Sequence, residues 1–287
     1  MAWAAVVVSL YAILQSFLGL HTTMSLRLPD ETIMMVKPRD EVVMTVLGWP
    51  VRMGTGIMGI HLTYGGQIMM MSFFVWAVFK KKWPFALTVV SLLLSFAYSA
   101  WLGFVAALSL FYGFRKKTAK YAVLLLVLFF TVLFTVPGNR QKVMHKLTDR
   151  MRIWNISLEM YSTNPVFGIG PKRFKYIYED KYLENESDTH LGHSHSVYLD
   201  LLTEGGPLTF LSFLFFVWRF LKKYGKRVKG KHRNLHTASL LALLGIAVAS
   251  FFQNYHTAAE NSVLIWIIIG ITVKLKLLEK EKTNKSR

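Results

Sequence analysis

The side chains best suited to chemistry lie in one stretch, HLGHSHSVYLDLLTEGG, at residues 190–206. It contains three histidines within six positions, His190, His193 and His195, and a carboxylate at Glu204. An imidazole has an ordinary pKa of about 6.5, so it can accept a proton at neutral pH as a general base. Imidazole is also the commonest metal ligand. The stretch is therefore interpreted as a base, a metal site or the polar edge of a membrane helix.

The spacing argues against a metal site. Asp188 and the three histidines could together supply oxygen and nitrogen ligands to zinc. However, the stretch has no helical H-x-x-x-H pair, and the chain has no cysteine that could act as a thiolate ligand. We predict that His190 is an interfacial residue and that His193 is a neighbour of His195 in the same pocket.

A helix is needed to position these side chains. If residues 196–204 are helical, His195 shares a face with Leu199 and Leu202, and Glu204 points roughly the opposite way. His195 and Glu204 therefore cannot form a simple dyad on one straight helix.

The sequence GGP after Glu204 predicts a break or kink in this helix, because proline lacks a backbone hydrogen-bond donor. Glu204 is therefore expected to bind backbone groups or a neighbouring helix at the break. An ionisable residue at membrane depth is nevertheless a functional candidate by default, so Glu204 is kept among the predicted catalytic residues.

The polar segment at residues 137–196 is predicted to be ordered, because it is rich in aromatic residues, unlike a disordered linker. Its sequence DRMRIWNISLEMYS has helical spacing, with Ile153, Ile156 and Met160 on one side. The two glycines of PVFGIGPKRF then predict a turn, because glycine permits backbone conformations that other residues resist.

Several cations accompany this segment. A guanidinium group can pair with two phosphate oxygens at once, so a lipid-linked pyrophosphate is the predicted ligand. The alternative is that the cations only contact anionic lipid headgroups. The residues concerned are Arg150, Arg152, Lys172, Arg173 and Lys175.

The composition indicates a membrane protein, since 53% of the 287 residues are hydrophobic. A membrane-spanning helix needs about 20 apolar residues, and the continuous runs lack the alternation of a barrel, so the predicted fold class is an all-α polytopic bundle. The predicted spans are residues 3–20, 56–79, 84–113, 121–136, 207–221, 235–252 and 262–278.

The net charge of +18 is explained by its placement between these spans, so no nucleic-acid partner is predicted. Basic clusters are expected on the cytoplasmic side of a membrane. All of the basic clusters lie on the cytoplasmic side only if residues 84–113 form a hairpin of two short helices that bends near Tyr98 and Ser99. This gives about eight spans in a single membrane domain, residues 1–287, with both termini cytoplasmic and a long outer segment at residues 137–206. The first span is interpreted as retained and not as a signal peptide.

Four stretches together resemble the O-antigen ligase family. HSVYLDLLTEGG fits that family's H-[NS]-x-x-L-x-x-x-x-E-x-G pattern, and RMRIWNISLEMYSTNPVFGIGPKRF is similar to its R-x-x-x-W…P-x-x-G-x-G-x-x-x-F stretch. RMGTGIMGIHLTYGG, which contains Arg52, and AENSVLIWIIIG resemble two further family segments. Their order and spacing are specific, and they cover most of the chain.

The resemblance implies a glycosyltransferase of the bacterial inner membrane that needs no metal or other cofactor. Such an enzyme moves a glycan from undecaprenyl pyrophosphate to an acceptor on the periplasmic side, which for the ligases proper is lipid A-core. By this analogy His195 is the base for the acceptor hydroxyl. Arg150 and Arg52 then hold the pyrophosphate leaving group.

The chain departs from the family pattern in two ways. AYSAWLG puts Tyr98 where family members usually carry an arginine, and the family commonly has several more spans before the first one here. The alternatives are therefore a polysaccharide polymerase or protein oligosaccharyltransferase of the same family, a catalytically silent or truncated homologue, and, from a different class, a transporter.

Overall fold

In the computed structural model the described residues are 1–18, 24–27, 33–36, 43–46, 49–58, 60–112, 124, 127, 130–131, 134–135, 137–183, 192–256 and 258–285. The structure is mostly helical (77%), which confirms the all-α class. The described helices are α1 (Ala2–Leu18), α2 (His61–Val78), α3 (Trp83–Leu94), α4 (Tyr98–Tyr112), α5 (Pro137–Thr163), α6 (Phe174–Lys181), α7 (Val197–Tyr224), α8 (Arg233–Ala249) and α9 (Ala259–Lys285).

The helices follow the predicted spans closely. The run at residues 84–113 is two helices, as predicted, and the break falls at residues 95–97, where Phe96 has a φ of 49°. Helix α7 begins ten residues before its predicted span (207 − 197 = 10), so part of the polar segment is helical. Most of the predicted span at residues 121–136 lies outside the described residues.

Two helices in the described part are long and apolar enough to cross a membrane, Val197–Tyr224 and Ala259–Asn284. Shorter apolar helices are Ala2–Leu18, Trp83–Leu94 and Tyr98–Phe111. The count of eight spans stays a prediction.

Two short antiparallel hairpins, which the sequence analysis did not predict, lie between α1 and α2. Strand β1 (Met24–Arg27) pairs with β2 (Ile33–Val36), and β3 (Val43–Val46) pairs with β4 (Trp49–Arg52). An isolated two-stranded hairpin is only marginally stable. The second hairpin is also bound to α5, because the backbone N–H of Thr45 donates to Asn139 Oδ1 at 3.0 Å.

The described chain divides into two compact units. The first comprises residues 1–140, 227–249 and 258–287. Within it α4 and α8 come so close that a Cβ on Gly103 would lie 2.4 Å from the carbonyl oxygen of Gly245. Small residues permit this close backbone approach, as in packed membrane helices.

The second unit comprises residues 141–226 and 250–257, and it contains the predicted base. Its core is formed by Ile153, Ile156 and Met160 of α5, which pack with Phe174 and Tyr178 of α6. This agrees with the prediction that these three residues of α5 lie on one side of a helix. That the whole chain forms a single membrane domain stays a prediction.

Candidate active site

The turn at Gly168 and Gly170 fits into the break of α7. Both glycines have positive φ values, 72° and 96°, which confirms the predicted turn. Because Pro207 has no N–H, the carbonyl of Thr203 loses its usual partner within the helix. The backbone N–H of Ile169 donates to that carbonyl instead, at 2.8 Å.

The break itself is at Gly206, whose φ of 70° and ψ of −179° are open almost only to glycine. A Cβ on Gly206 would lie 2.5 Å from the carbonyl oxygen of Val166, and a Cβ on Gly168 would lie 2.7 Å from the nitrogen of Gly206. The turn and the helix break are therefore in direct backbone contact.

Glu204 secures the same joint with its side chain. Its Oε2 accepts the backbone N–H of Lys172 at 3.0 Å, and its Oε1 accepts that of Phe174 at 3.2 Å. The carboxylate thus lies at the amino end of α6, where a negative charge is favourable. The sequence analysis expected Glu204 to bind backbone at the break, and it does. A direct catalytic role stays a prediction.

In the segment before α7 the serine side chains point into the protein and the histidine side chains are more exposed. Ser194 and Ser196 are buried, whereas His193 and His195 are partly exposed. Ser196 is the N-cap of α7 and accepts the N–H of Leu199 at 3.4 Å.

Ser194 fixes the same segment. Its N–H donates to Asp200 Oδ1 at 2.8 Å, and its hydroxyl donates to the carbonyl of Ser196 at 3.0 Å. The backbone of this segment is therefore held between the two histidines and directly after His195.

The sequence analysis placed His195 on a helix face with Leu199 and Leu202, and this was wrong. Helix α7 begins at Val197, and His195 precedes its N-cap with a left-handed φ of 58°. A helical face relation does not apply to a residue in that conformation. The ring of His195 instead meets the ring of His193 edge-on, with 4.6 Å between centroids. This confirms His193 as its neighbour.

One amide oxygen joins the two leading catalytic candidates. Arg150 Nη2 donates to Gln253 Oε1 at 3.2 Å, and His195 Nδ1 lies 3.2 Å from the same oxygen. Within the part of the chain that the structure describes, Arg150 makes no salt bridge with a carboxylate. The partner of this half-buried guanidinium is thus a neutral amide.

The surroundings favour the uncharged form of both rings. Burial, with a smaller contribution from the nearby His193 and Arg150, lowers the pKa of His195 to about 3, while the bond to Gln253 acts in the opposite direction. Burial also lowers the pKa of His193, although Asp200 opposes the shift. At neutral pH the imidazole of His195 is therefore unprotonated.

A row of side chains on α5 continues from Arg150 at helical spacing. Lys146 lies one turn before it and Trp154 one turn after it. Burial lowers the pKa of Lys146, and the charges of Arg150 and Lys142 add to this effect. Among described atoms the buried indole N–H of Trp154 has no acceptor. This face thus presents two repelling cations and an unused donor, which is the chemistry of an anion site.

A cavity of about 400 Å³ lies beside the histidine segment in the same unit. Its polar lining comes from Asp200, Glu204, Thr209, Asn254 and His256. Asp200 links it to the histidines, because it accepts the N–H of Ser194 and also an N–H of the Asn254 side chain. The cavity is acidic, in contrast to the cationic face of α5.

The remaining predicted site residues lie in different places. Arg152, Lys172 and Arg173 have exposed side chains, the first on α5 and the other two in the turn before α6. Arg52 ends β4 and Tyr98 begins α4, so both belong to the first unit. The ring of Tyr98 packs on Trp101 and Phe130. Their contact with substrate stays a prediction.

Asp188 and His190 lie outside the described residues. Within the described ranges, no group of three or more His, Cys, Asp or Glu side chains is arranged to hold a metal ion. Metal independence therefore stays a prediction.

Sequence reasoning missed Gln253, Asn254 and Lys146. Gln253 is 58 residues from His195 and carries no charge, so no local pattern marked it. Lys146 had a usable signal, because it lies four residues before Arg150, on the same face of a predicted helix.

The described chain thus combines long apolar helices with a cluster of imidazole and guanidinium groups. Residues 83–214 match the family model described as O-antigen ligase. The resemblance found in the sequence is thereby confirmed over this segment, which includes Arg150, His195 and Glu204. The family is membrane-associated and consists of glycosyl-transferring enzymes of the ligase and polymerase type. No curated protein matches the chain at a significant level.

Proposed function

We propose that the chain is a glycosyltransferase of the bacterial inner membrane that moves a glycan from undecaprenyl pyrophosphate to a periplasmic acceptor, as O-antigen ligases do with lipid A-core. The observation that carries this proposal is the pairing of Arg150 and His195 on one neutral amide oxygen, Gln253 Oε1. The arrangement places the guanidinium group of Arg150 beside the unprotonated imidazole of His195. Among the described residues this guanidinium has no carboxylate partner.

The reaction forms one bond and breaks another at the anomeric carbon of the donor. The acceptor hydroxyl oxygen attacks this carbon while the His195 ring takes the hydroxyl proton. The bond from carbon to the pyrophosphate oxygen breaks, and the electron pair leaves with undecaprenyl pyrophosphate. Attack from the face opposite the leaving group inverts the anomeric centre.

Arg150 and Lys146 stabilise the charge that gathers on the departing pyrophosphate. Both are partly buried, and fixed cations stabilise developing charge best where water is partly excluded. The repulsion between them costs stability in the protein alone, and an anion bound between them removes that cost. Arg152, Lys172, Arg173, Arg52 and Tyr98 are proposed as further donor contacts.

The acidic cavity is the proposed place for the acceptor sugar. Carboxylate, amide and hydroxyl groups suit the many hydroxyls of a sugar, whereas the carboxylates of Asp200 and Glu204 repel pyrophosphate. In this proposal donor and acceptor bind groups of opposite charge near the histidine pair. The acceptor would approach His195 from the side of Asp200.

The second section of α7 supports insertion into a bilayer. Its large apolar side chains, Leu208, Leu211, Phe215 and Trp218, are exposed, and it ends in the cations Lys222 and Lys223. A helix that is apolar on all sides is stable only in lipid or in a core. With the basic end in the cytoplasm, the site lies on the periplasmic face.

A second candidate is a polymerase or protein oligosaccharyltransferase of the same family, because the site chemistry is shared and only the acceptor differs. A silent homologue is the third, favoured by Tyr98 in place of an arginine. A transporter fits less well, since the described ionisable groups of the site gather at one end of α7.

Complementation tests the proposal. In a Gram-negative strain without its O-antigen ligase, the chain should restore long-chain lipopolysaccharide on a gel. His195→Ala and Arg150→Ala should abolish it, because a lost base costs about 10²–10⁴-fold in rate and a lost charge donor a similar amount. His145→Ala, on an exposed face of α5, is the matched control and should behave as wild type.

The outcomes separate the candidates. Restoration by His195→Ala would remove the base assignment. If the wild type fails here but extends glycan chains in a polymerase-deficient strain, the acceptor is a growing glycan. Failure in both strains, with the chain present in the membrane, would support the silent homologue.

A further inference from the structure

We propose that Gln253 is a positioning residue that fixes the tautomer of His195, so that Nε2 is the atom that accepts the proton. This inference rests on the proposed function for its catalytic consequence. The tautomer itself can be measured without any turnover. The family match at residues 83–214 does not include Gln253.

Arg150 determines which atom of the Gln253 amide faces the site. A guanidinium group has only donors, so the atom that lies 3.2 Å from Nη2 must be an acceptor. Within the amide only Oε1 can accept. The amide nitrogen of Gln253 therefore points away from Arg150 and from His195.

The same oxygen determines the proton position on His195. Nδ1 of the ring lies 3.2 Å from Gln253 Oε1, which carries lone pairs and no hydrogen. Two lone pairs in contact would repel, so Nδ1 must carry the hydrogen and donate it. A neutral imidazole has one N–H, which leaves the lone pair on Nε2.

His193 has the opposite tautomer. The backbone N–H of His195 donates to His193 Nδ1 at 3.1 Å, so this nitrogen holds a lone pair and the hydrogen lies on Nε2. The two rings also meet edge-on. Of the pair, only His195 carries a lone pair at its outer nitrogen, Nε2, and among the described residues no donor is bonded to it.

Gln253 is itself held in place against α7. It is buried, with 7% of its surface exposed, and its neighbours in the chain are tied to the start of the helix. Val197 N–H donates to the carbonyl of Ser250 at 3.0 Å, and the Asn254 side chain donates to Asp200. The amide oxygen and the histidine backbone are thus fixed to the same helix end.

A neutral side chain suits this position better than a carboxylate would. A glutamate here would form a salt bridge with Arg150 and cancel the charge needed for the anionic donor. It would also raise the pKa of His195 and hold the ring protonated at higher pH. Glutamine orients the ring and leaves both the cation and the base unchanged.

Nitrogen-15 NMR of the full chain in lipid nanodiscs, labelled at histidine, tests the inference at pH 7. The His195 signals are identified by their loss in His195→Asn. In the wild type, Nδ1 should show the shift of a protonated nitrogen and Nε2 that of an unprotonated one. Gln253→Leu should move the hydrogen to Nε2 in most molecules. Gln141→Leu, at an exposed position of α5, should leave both shifts unchanged.

Kinetics then connect the tautomer to turnover. Gln253→Leu should lower kcat by about 10²-fold, the scale of general-base catalysis, with a smaller change in the KM for the donor. Gln253→Glu keeps an acceptor for Nδ1, so the Nδ1–H tautomer should persist, and the titration of His195 should move to higher pH. This second variant keeps the test valid if Gln253→Leu does not fold.

The outcomes for the two Gln253 variants distinguish the tautomer assignment from the proposed function. An unchanged tautomer in Gln253→Leu, or no upward shift of the titration in Gln253→Glu, would overturn it while leaving the proposed function intact. The expected shifts in a protein that transfers no glycan would support the tautomer assignment and refute the proposed function.

Discussion

At the scale of single residues, His195 combines a rare backbone conformation with surroundings that disfavour the protonated form of its ring. A non-glycine residue at a φ of 58° costs about 1–3 kcal/mol and persists only where its surroundings fix it. Here the bonds of Ser194 and Ser196 and the contact with Gln253 provide that support. The ring is thereby positioned before any substrate arrives.

The low pKa of His195 predicts a pH-dependent stability. The folded-state pKa of about 3 lies below the ordinary value of about 6.5, so between these pH values the unfolded chain binds more protons. Stability is therefore fully present above about pH 6.5 and falls as the pH decreases towards 3. Thermal melting in nanodiscs at pH 7, 6, 5 and 4 should show this slope.

His195→Gln should make that slope shallower, although burial lowers the pKa values of His193 and His256 too, so part of it will remain. His145→Gln is the control on an exposed face and should retain the wild-type slope. An identical slope in His195→Gln would show that this ring titrates normally in the folded protein.

Local chemistry made some site residues predictable and left others hidden. The backbone bonds of Glu204 follow from residue type and from its distance to a helix break. His195 and Arg150 were chosen with the family resemblance, and their catalytic roles stay predictions. Gln253 has no charge and lies far along the chain, so only the folded structure connects it with His195. The left-handed φ of His195 was equally hidden, because histidine does not signal it as glycine does.

At the scale of elements, the joint between the 164–173 turn and the break in α7 holds the site together. Gly206→Ala should destabilise the second unit by about 1–3 kcal/mol from its φ alone, and the overlap with the carbonyl of Val166 adds to this cost. The melting temperature should fall, and transfer activity should fall with it.

Gly192→Ala is the matched control for this change. Among the described residues a Cβ on Gly192 would meet nothing within 4 Å, so the stability of this variant should match that of the wild type within about 0.5 kcal/mol. Equal melting of Gly206→Ala and wild type would mean that the helix break does not support the fold.

Periodicity predicted the helices well but not the hairpins. The face of Ile153, Ile156 and Met160 and the GGP break are strong local signals, and the structure agrees with both. Strands β1 to β4 are four residues each, too short for a pattern of alternation to be separated from a loop. The start of α7 near residue 196 was expected from the sequence, although its first turns are polar and lie outside the apolar run.

At the scale of the whole molecule, the topology can be tested with single cysteines, since the chain has none of its own. Gly192→Cys is expected on the periplasmic face and Lys231→Cys in the cytoplasm, because basic loops stay inside. In intact cells with a permeable outer membrane, a maleimide that cannot cross the inner membrane should label only the first.

Labelling of Lys231→Cys should appear only after the inner membrane is opened. Both positions are exposed, so accessibility within the protein does not limit the reaction. The reverse pattern would contradict the orientation and place the proposed site on the wrong face for a periplasmic acceptor.

The composition predicted apolar helices of a membrane protein, but it did not determine how many of them cross the bilayer. Apolar runs fix where helices lie, as the bounds of α1, α2, α8 and α9 show. They do not fix how many cross the bilayer, because helices shorter than about 20 residues depend on tilt and on their neighbours.

The backbone contact between Gly168 and Gly206 has a consequence for protein engineering. Neither partner can be redesigned alone, because each approaches the other through main-chain atoms, which no smaller side chain can replace. A transplant of the histidine motif into another membrane scaffold would have to carry the 164–173 turn with it. Domain exchanges between homologues should therefore place their junctions outside residues 141–226.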